Sequence, residues 1–309
     1  MSDIKIVFMG TPEFAVPILE GLINNYNVVG VVSQPDKRVG RKQELVFTPV
    51  KKLAVENGIV VFQPEKIRED YNDILKLEPD IIITCAYGQI IPKEILSYPR
   101  LGCINVHASL LPKLRGGAPI HRAIMEGYKK TGVTIMYMDE KMDSGDIISQ
   151  EEVEILDQDN LESLYNKLSS LGSKLLLETL PSIIEGTNER ISQDLHEVTY
   201  GYNIQREEEY IDFSRTSREI YNQIRGLSPW IGACCKLDGE EFKIYGSVIG
   251  SKTGKTAGEI IEESKMGIGV TTGDGEIIFT DIKPFGKKRM NAYSYINGLH
   301  NSLIGKVFE

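Results

Sequence analysis

The feature that most constrains the fold is an eight-residue run, DIIITCAY (80–87), that is apolar at nearly every position. A strand with one solvated face alternates apolar and polar residues, whereas a strand of a parallel sheet is buried on both faces and is apolar throughout. Short apolar runs also occur at 4–10 and 27–34, and segments with helical spacing separate them. This alternation predicts an α/β fold whose first half is a doubly wound, mostly parallel sheet.

The segments between these strands carry helix signals. Residues 48–58 begin with Thr48, a good helix cap, and Pro49 then occupies the first helical position. We also expect a helix over 65–76 and a long amphipathic helix over 160–186 that closes the domain.

Composition changes after this long helix. One more helix is expected at 217–227, and from about residue 230 short strand-like runs alternate with glycine turns, as in a small all-β barrel. We therefore predict three parts: a catalytic domain over 1–190, a polar linker over 191–208 and a smaller β domain over 209–309.

Charge and cysteine content narrow the function classes. The net charge of −9 argues against a globally basic nucleic-acid binder, although local basic patches are compatible with it. The four cysteines lack metal-site spacing and no Cys-x-x-Cys occurs, which favours a reduced, cytoplasmic compartment. The start MSDIKIVFMG does not resemble a signal peptide, and no apolar run approaches the roughly 20 residues that span a bilayer. GTPEFAVPIL (10–19) lacks the glycine pattern of a nucleotide loop. We expect no metal, no nucleotide cofactor and no membrane contact.

Residues suited to acyl transfer follow the apolar run. Side chains of a strand alternate, so Asn105 and His107 share one face near the end of the strand CINVHAS (103–109). The loop MDSGDII supplies Asp143 and Asp146, and either can approach the histidine across the sheet edge. A carboxylate orients an imidazole, and an amide can donate to a carbonyl oxygen that gains negative charge. Because no Ser or Cys nucleophile pairs with the histidine, we expect direct attack by a substrate amine.

Each of these residues also has a plainer interpretation. Asn105 and His107 fit the polar face of an edge strand, and Asp143 fits a turn because Asp-Ser-Gly favours turns. The residues alone leave these alternatives open, and they do not decide between Asp143 and Asp146.

The connection QPDKRVGRKQELVFTPVKK (34–52) is locally basic in an acidic chain. Long loops in compact domains are usually functional or disordered, and a basic loop can bind phosphates. The alternative is a solvated, mobile loop. LPKLRGGAP adds Lys113 and Arg115 beside the predicted site.

Taken together, NVHASLLPKLRGGAPIHRAI and MDEKMDSGDI strongly resemble the formyltransferases that use N10-formyltetrahydrofolate. MGTPEFAVPIL, SQPDKRVGR, FTPVKKLA and the segment REEEYIDFS…IRGLSPW narrow the resemblance to the branch that formylates methionyl-tRNA, along nearly the whole chain. This resemblance implies a Rossmann-like formyltransferase domain followed by an OB-like domain that helps to bind tRNA. It implies transfer of the formyl group of 10-formyltetrahydrofolate to methionyl-initiator tRNA in translation initiation, by a monomeric cytoplasmic enzyme.

The resemblance also assigns residues, and it selects Asp143 over Asp146. The implied catalytic residues are Asn105, His107 and Asp143. The implied folate-binding residues are Ser109, Leu110, Leu111 and Pro112, with Tyr87, Gly88, Gln89 and Ile90 of AYGQIIP (86–92) at the pterin pocket. The implied tRNA-binding residues are Lys37, Arg38, Arg41, Lys42 and Arg206, of which Arg41 is the expected reader of the acceptor stem.

The chain departs from the family pattern in the linker and barrel. Asn203 stands where a lysine is common, and SPWI (228–231) replaces Asn-Pro-Trp-Pro. Two other functions stay open at this stage. A formyl-folate enzyme that acts on a sugar nucleotide or hydrolyses the folate would share Asn105, His107 and Asp143 without needing the basic loop, and a non-catalytic folate- or RNA-binding protein would not need these three residues.

Overall fold

The computed structural model describes residues 4–40, 43–254 and 256–309. The chain divides into two compact units, which are described separately. The first contains the segments up to Pro119, Thr131–Val153 and Tyr165–Tyr202, and the second contains Ile120–Lys130, Glu154–Leu164 and Asn203–Glu309.

A seven-stranded, mostly parallel sheet forms the centre of the first unit. The strand order is β5-β2-β1-β6-β7-β8-β9, in which neighbours from β5 to β7 are parallel and β8 is antiparallel to β7. All residues of β6 are buried, as the continuous apolar run requires. The strands are β1 (Lys5–Gly10), β2 (Asn27–Val32), β5 (Val61–Phe62), β6 (Ile81–Cys85), β7 (Cys103–His107), β8 (Lys130–Tyr137) and β9 (Ile147–Glu154), and a separate hairpin consists of β3 (Lys37–Val39) and β4 (Glu44–Val46).

The helices predicted over 48–58 and 160–186 are present. The predicted cap is present, because the Thr48 side chain accepts a hydrogen bond from the backbone N–H of Lys51. The long helix is confirmed as α6. The helices are α1 (Val16–Asn25), α2 (Pro49–Glu56), α3 (Asn72–Leu75), α4 (Lys93–Leu96), α5 (Pro119–Met125) and α6 (Leu161–Glu185).

The prediction of a helix over 65–76 was wrong. Only α3 is α-helical there, and residues 67–69 form a turn. Ile67 and Ile74, whose spacing suggested the helix, are both buried. However, the backbone N–H of Ile67 donates to the side-chain oxygen of Gln89 at 2.8 Å. A long-range hydrogen bond thus replaces the local one that a continuous helix needs.

The second unit is built on an antiparallel sheet. Its strand order is β10-β11-β14-β13-β12, with β15 paired to β14. Residues of the C-terminal segment bond to both ends of this order: Glu309 exchanges backbone hydrogen bonds with Lys236, and Phe308 donates to Gly258. The elements are α7 (Ser217–Leu227), β10 (Ala233–Leu237), β11 (Glu240–Ile249), β12 (Ile260–Glu263), β13 (Ile268–Thr271), β14 (Glu276–Pro284), β15 (Met290–Asn291) and α8 (Ala292–Asn297).

Aromatic side chains fill the interior of this second sheet. Phe242, Phe279 and Phe308 are buried, and the Phe308 ring contacts those of Phe242 and Phe279 at centroid distances of 5.4 Å and 5.7 Å. The predicted helix over 217–227 is confirmed as α7, and the predicted order of an α/β domain before an all-β domain is confirmed as well. Within the described residues, no helix is long and apolar enough to cross a bilayer.

Candidate active site

The candidate site lies where two neighbouring parallel strands end. Thr84 of β6 is paired with Asn105 of β7, and His107 is the last residue of β7. In doubly wound sheets, ligands bind beyond the carboxyl ends of the strands, so both β7 residues occupy the edge where a ligand is expected.

The three predicted catalytic residues converge at this edge. Asp143 Oδ1 lies 3.8 Å from His107 Nδ1 and accepts a long hydrogen bond of 3.5 Å from Asn105 Nδ2. The second carboxylate oxygen, Oδ2, accepts from the backbone N–H of Gly116 at 2.8 Å. The structure thus brings together three side chains from β7 and from the turn between β8 and β9.

His107 is buried, and one ring nitrogen is already engaged. Its Nε2 lies 3.1 Å from the carbonyl oxygen of Leu114, which can only accept, so Nε2 carries the hydrogen. Its Nδ1 then faces the carboxylate of Asp143 across 3.8 Å. This distance is longer than a hydrogen bond. Because Nε2 is engaged by Leu114, Nδ1 is the ring nitrogen that is left to bind a ligand.

The two aspartates of the turn have different partners. Asp143 has φ +48°, a left-handed conformation that aspartate tolerates better than most residues, and its carboxylate faces His107. Asp146 instead accepts hydrogen bonds from Arg190 and Ser192. Of the two turn carboxylates, Asp143 is thus the one that faces His107.

Thr84 contributes to the site although the sequence analysis did not select it. Its hydroxyl donates to Asn105 Oδ1 at 2.8 Å. That bond occupies the amide oxygen and leaves the amide NH₂ directed at the other side, where it can donate to a substrate. A single polar residue within the otherwise apolar stretch 81–86 was the available signal.

Removing the Thr84 hydroxyl should lower the rate of the reaction. We expect Thr84→Val to reduce kcat about fivefold, since a neutral hydrogen bond contributes about 1 kcal/mol. Thr84→Ser keeps the hydroxyl and should retain most of the wild-type kcat. Steady-state kinetics of both variants test this, and equal kcat values for the two would contradict it.

A cleft of about 840 Å³ adjoins the same end of the sheet. Tyr87, Gly88, Gln89 and Ile90, the predicted pterin-binding residues, all line it. Asn105, His107 and Asp143 are not among its lining residues, but β6 runs from Thr84 directly into the lining loop. Burial raises the pKa of the Tyr87 hydroxyl to about 12. The remaining lining residues are Thr11, Pro12, Gln34, Pro35, Lys37, Val46, Phe47, Thr48, Glu65, Lys66, Ile67, Arg68, Ala86 and Pro92.

Hydrogen bonds to neighbouring residues hold the SLLP segment (109–112) in place. Ser109 is buried and its hydroxyl donates to the carbonyl of Lys113 at 2.6 Å. Leu111 is buried in a small cluster with Met136 and Ile147. Leu110 and Pro112 are half-buried, so these two side chains are the part of the segment that is accessible to a ligand.

The basic connection contains the hairpin β3–β4. Lys37 and Arg38 are exposed on β3, and Lys37 also lines the cleft, whereas Arg41 and Lys42 lie outside the described residues. Half-buried polar contacts hold the base of the hairpin. Lys51 forms an ion pair with Asp36, and Gln63 donates to Asp36 Oδ1 at 2.9 Å. Burial raises the pKa of Asp36, but the hydrogen bonds from Lys51 and Gln63, the charge of Lys51 and the backbone of Thr48 together outweigh this effect, and the net pKa is lowered.

Arg206, the predicted tRNA-binding residue of the second unit, is engaged in ion pairs. Its guanidinium contacts the carboxylates of Glu209 and Glu241 and lies 5.2 Å from the ring centre of Tyr210. Half of the side chain remains exposed. Because two carboxylates offset its positive charge, Arg206 attracts a phosphate less strongly than an unpaired arginine would.

The described residues contain no cluster of three or more His, Cys, Asp or Glu side chains placed to hold a metal ion. The polar groups at the edge of the sheet are an amide, an imidazole and a carboxylate, which can donate to an oxyanion and accept a proton.

Comparison with known proteins places the chain among formyl transferases. The family described as Formyl transferase matches residues 4–180, and the family described as Formyl transferase, C-terminal domain matches residues 203–300. A Methionyl-tRNA formyltransferase of Bacillus subtilis (strain 168) is 52% identical over 301 residues, which cover 96% of this chain and 95% of that protein. One from Macrococcus caseolyticus (strain JCSC5402) is 49% identical over 307 residues and covers 99% of each.

Solved structures share the fold at lower identity. HypX from Aquifex aeolicus in complex with tetrahydrofolic acid has a TM-score of 0.67 and 16% identity, and the match covers 100% of this chain and 51% of that chain. WlaRD, a sugar 3N-formyl transferase, has a TM-score of 0.67 and 23% identity over 93% of this chain and 100% of its own. At these identities the likeness concerns the architecture alone.

Proposed function

Because this chain belongs to the formyl transferase family, we propose that it transfers the formyl group of 10-formyltetrahydrofolate to the α-amino group of methionyl-initiator tRNA. The product, formylmethionyl-tRNA, serves translation initiation. The observation that carries this proposal is that about half of the residues, over nearly the full length of the chain, are identical to those of proteins named methionyl-tRNA formyltransferase. The convergence of Asn105, His107 and Asp143 at the carboxyl edge of the sheet supports it independently.

The proposed chemistry is direct acyl transfer. The neutral α-amine attacks the formyl carbon, and the carbonyl oxygen becomes an oxyanion. Asn105 donates to that oxygen through Nδ2, while its Oδ1 accepts a hydrogen bond from Thr84 and so fixes the orientation of the amide. His107 in its protonated form donates from Nδ1, while its Nε2–H remains on the Leu114 carbonyl.

Asp143 completes the proposed mechanism. Its carboxylate lies on the Nδ1 side of His107, where it stabilises the imidazolium, and it takes the proton that the amine loses through a bridging water molecule. The C–N bond to the folate nitrogen then breaks, and that nitrogen receives the proton that Asp143 took from the amine, carried back through the same water molecule. Each step needs positioned donors and acceptors only.

We assign the cosubstrate to the region between the cleft and the SLLP segment. Tyr87, Gly88, Gln89 and Ile90 form the pterin wall in this proposal. Ser109 and Leu111 act by shaping the segment because their side chains are buried, and Leu110 and Pro112 contact the folate.

We assign tRNA binding to the basic hairpin region and to the second domain. Lys37, Arg38, Arg41 and Lys42 contact the acceptor stem, and Arg206 contributes from the C-terminal side. In this proposal the catalytic domain spans 1–190, the linker 191–208 and the OB-like tRNA-binding domain 209–309. The enzyme acts in the cytoplasm as a monomer, without a metal ion or membrane contact.

The decisive experiment measures formylation of charged initiator tRNA. Purified protein is incubated with 10-formyltetrahydrofolate and methionyl-initiator tRNA, and the blocked amino group is detected after mild hydrolysis of the ester. Parallel reactions replace the tRNA with amino-sugar nucleotides or with water alone. Formyl transfer to an amino sugar, or folate hydrolysis without transfer, at a higher kcat/KM than transfer to the tRNA would overturn the proposal.

Arg41 tests the proposed reading of the acceptor stem. We expect Arg41→Ala to reduce the ratio of kcat/KM for initiator tRNA over elongator methionyl-tRNA by roughly tenfold, the size of a 1–2 kcal/mol contact. The KM for the folate should not change. An equal loss on both tRNAs would show that Arg41 supplies charge without discrimination.

A further inference from the structure

Gln193 lies in an extended segment that runs beside the turn carrying Asp143. Two residues before it, Ile191 exchanges backbone hydrogen bonds of 2.8 Å and 2.9 Å with Ile147 at the start of β9. This pairing anchors the segment to the sheet and places the Gln193 side chain against the turn between β8 and β9.

The amide of Gln193 makes four hydrogen bonds. Its Nε2 donates to the backbone carbonyls of Asp143 at 2.9 Å and Gly145 at 2.8 Å. Its Oε1 accepts from Arg115 Nε at 3.1 Å and Nη2 at 2.7 Å. Both hydrogens and both lone pairs of the amide are thus used.

Arg115 is buried, although arginine is rarely so. Its own backbone is fixed as well, because its N–H donates to Thr199 and its carbonyl accepts from Gly201. The following residue, Gly116, supplies the N–H that binds Asp143 Oδ2 at 2.8 Å. Asp143 is therefore held twice from one segment: its carboxylate by Gly116, and its carbonyl by Arg115 acting through Gln193.

The turn needs such support because its backbone is unusual. Asp143 adopts φ +48°, which costs free energy on the order of 1–3 kcal/mol for a residue other than glycine. A Cβ at Gly145 would lie 2.0 Å from the carbonyl oxygen of Tyr137, so the chain is also tightly packed there. Asp143 and Gly145 are the two residues whose carbonyls accept hydrogen bonds from Gln193.

From this geometry we propose that Gln193 is a positioning residue: it holds the turn so that the Asp143 carboxylate faces His107. This inference rests on the proposed function for its kinetic consequence. Only an amide satisfies the site, because two carbonyls need N–H donors while the guanidinium needs an acceptor on the same side chain. A glutamate retains the bond to Arg115 and opposes two carbonyl oxygens with a carboxylate oxygen, which moves the turn.

Two variants test the proposal by kinetics. Gln193→Glu is isosteric, and Gln193→Met keeps the length and removes every hydrogen bond without adding charge. We expect kcat to fall roughly tenfold in each, because small displacements of a reacting group cost this much or more. The KM values for tRNA and folate should remain within about twofold. Gln205→Glu, which adds the same charge at an exposed amide bonded to the Asn203 carbonyl, is the control and should behave as wild type.

A double-mutant cycle separates positioning from general structural support. In an Asp143→Asn background, Gln193→Glu should change kcat less than twofold, because Gln193 acts through the residue already altered. Equal fold-losses in both backgrounds, or wild-type kcat in both single variants, would overturn the proposal.

A spectroscopic readout keeps this test independent of the formylation assay. The chain has four histidines, so the ring ¹⁵N signals of His107 can be assigned by comparison with His107→Ala. We expect Gln193→Glu to shift the His107 Nδ1 signal and Gln205→Glu to leave it in place. An unmoved signal would refute the positioning role even if the protein proved to formylate another substrate.

Discussion

His107→Ala, Asn105→Ala and Asp143→Ala should each lower kcat for formyl transfer by on the order of 10²–10³, the usual effect of removing one preorganised donor at a developing oxyanion. For Asn105 the lost group is the amide Nδ2, which Thr84 directs to the substrate side. For His107 it is the Nδ1–H, and for Asp143 it is the carboxylate that stabilises the charged ring. The folate KM should change little, since none of the three lines the cleft.

Single-turnover kinetics with saturating tRNA and folate measure this effect directly. The three residues act on one oxyanion, so a double variant should be little slower than its slower parent. Asp146→Ala is the matched control: it removes a carboxylate from the same turn, but that carboxylate bonds Arg190 and Ser192. We expect its rate to remain within a few-fold of wild type. A His107→Ala enzyme with near-normal turnover would remove the histidine from the mechanism.

The fold was predictable because its signals are local. Each buried strand appears as a short apolar run, and the caps of α2 and α7 appear as Thr48 and Thr216 before helical spacing. The exception, the helix expected over 65–76, failed for a non-local reason. Gln89 binds the backbone of Ile67 from 22 positions away, and no window of the sequence contains both partners in a recognisable pattern.

The site was predictable in part, for the same reason. Strand alternation places Asn105 and His107 on one face without knowledge of the fold. The residue pattern alone does not distinguish Asp143 from Asp146, because the folded backbone of the turn determines which carboxylate faces the His107 ring. Gln193 is separated from Asp143 by 50 positions and lies in a polar segment without periodicity, so only the structure reveals its contacts.

Charge counts from the sequence overstate the cations that are available to a polyanion. Lys51 belongs to the basic connection, yet it pairs with Asp36 under the hairpin. Arg206 pairs with Glu209 and Glu241. Lys37 and Arg38, in contrast, are exposed on β3. The described part of the hairpin therefore presents its positive charge from these two positions.

We expect replacement of Lys37, Arg38, Arg41 and Lys42 together by glutamine to raise the KM for methionyl-initiator tRNA on the order of 10²-fold at 50 mM salt. Each cation that binds a phosphate contributes a slope of about 1 to log KM against log salt concentration, so the slope should decrease by about 4. The kcat at saturating tRNA should not change, because the catalytic residues are retained.

Salt titration distinguishes phosphate binding from a loss of structure. Raising the salt concentration from 50 to 200 mM should increase the KM for tRNA on the order of 10²-fold more for the wild-type protein than for the variant, which has already lost these contacts. A control variant, Lys76→Gln with Lys174→Gln, removes lysines that pair with Asp73 and Glu151 on the surface and should keep the wild-type slope. If the hairpin variant keeps the wild-type slope, its cations do not contact phosphates, and the proposed tRNA surface must lie elsewhere on the protein.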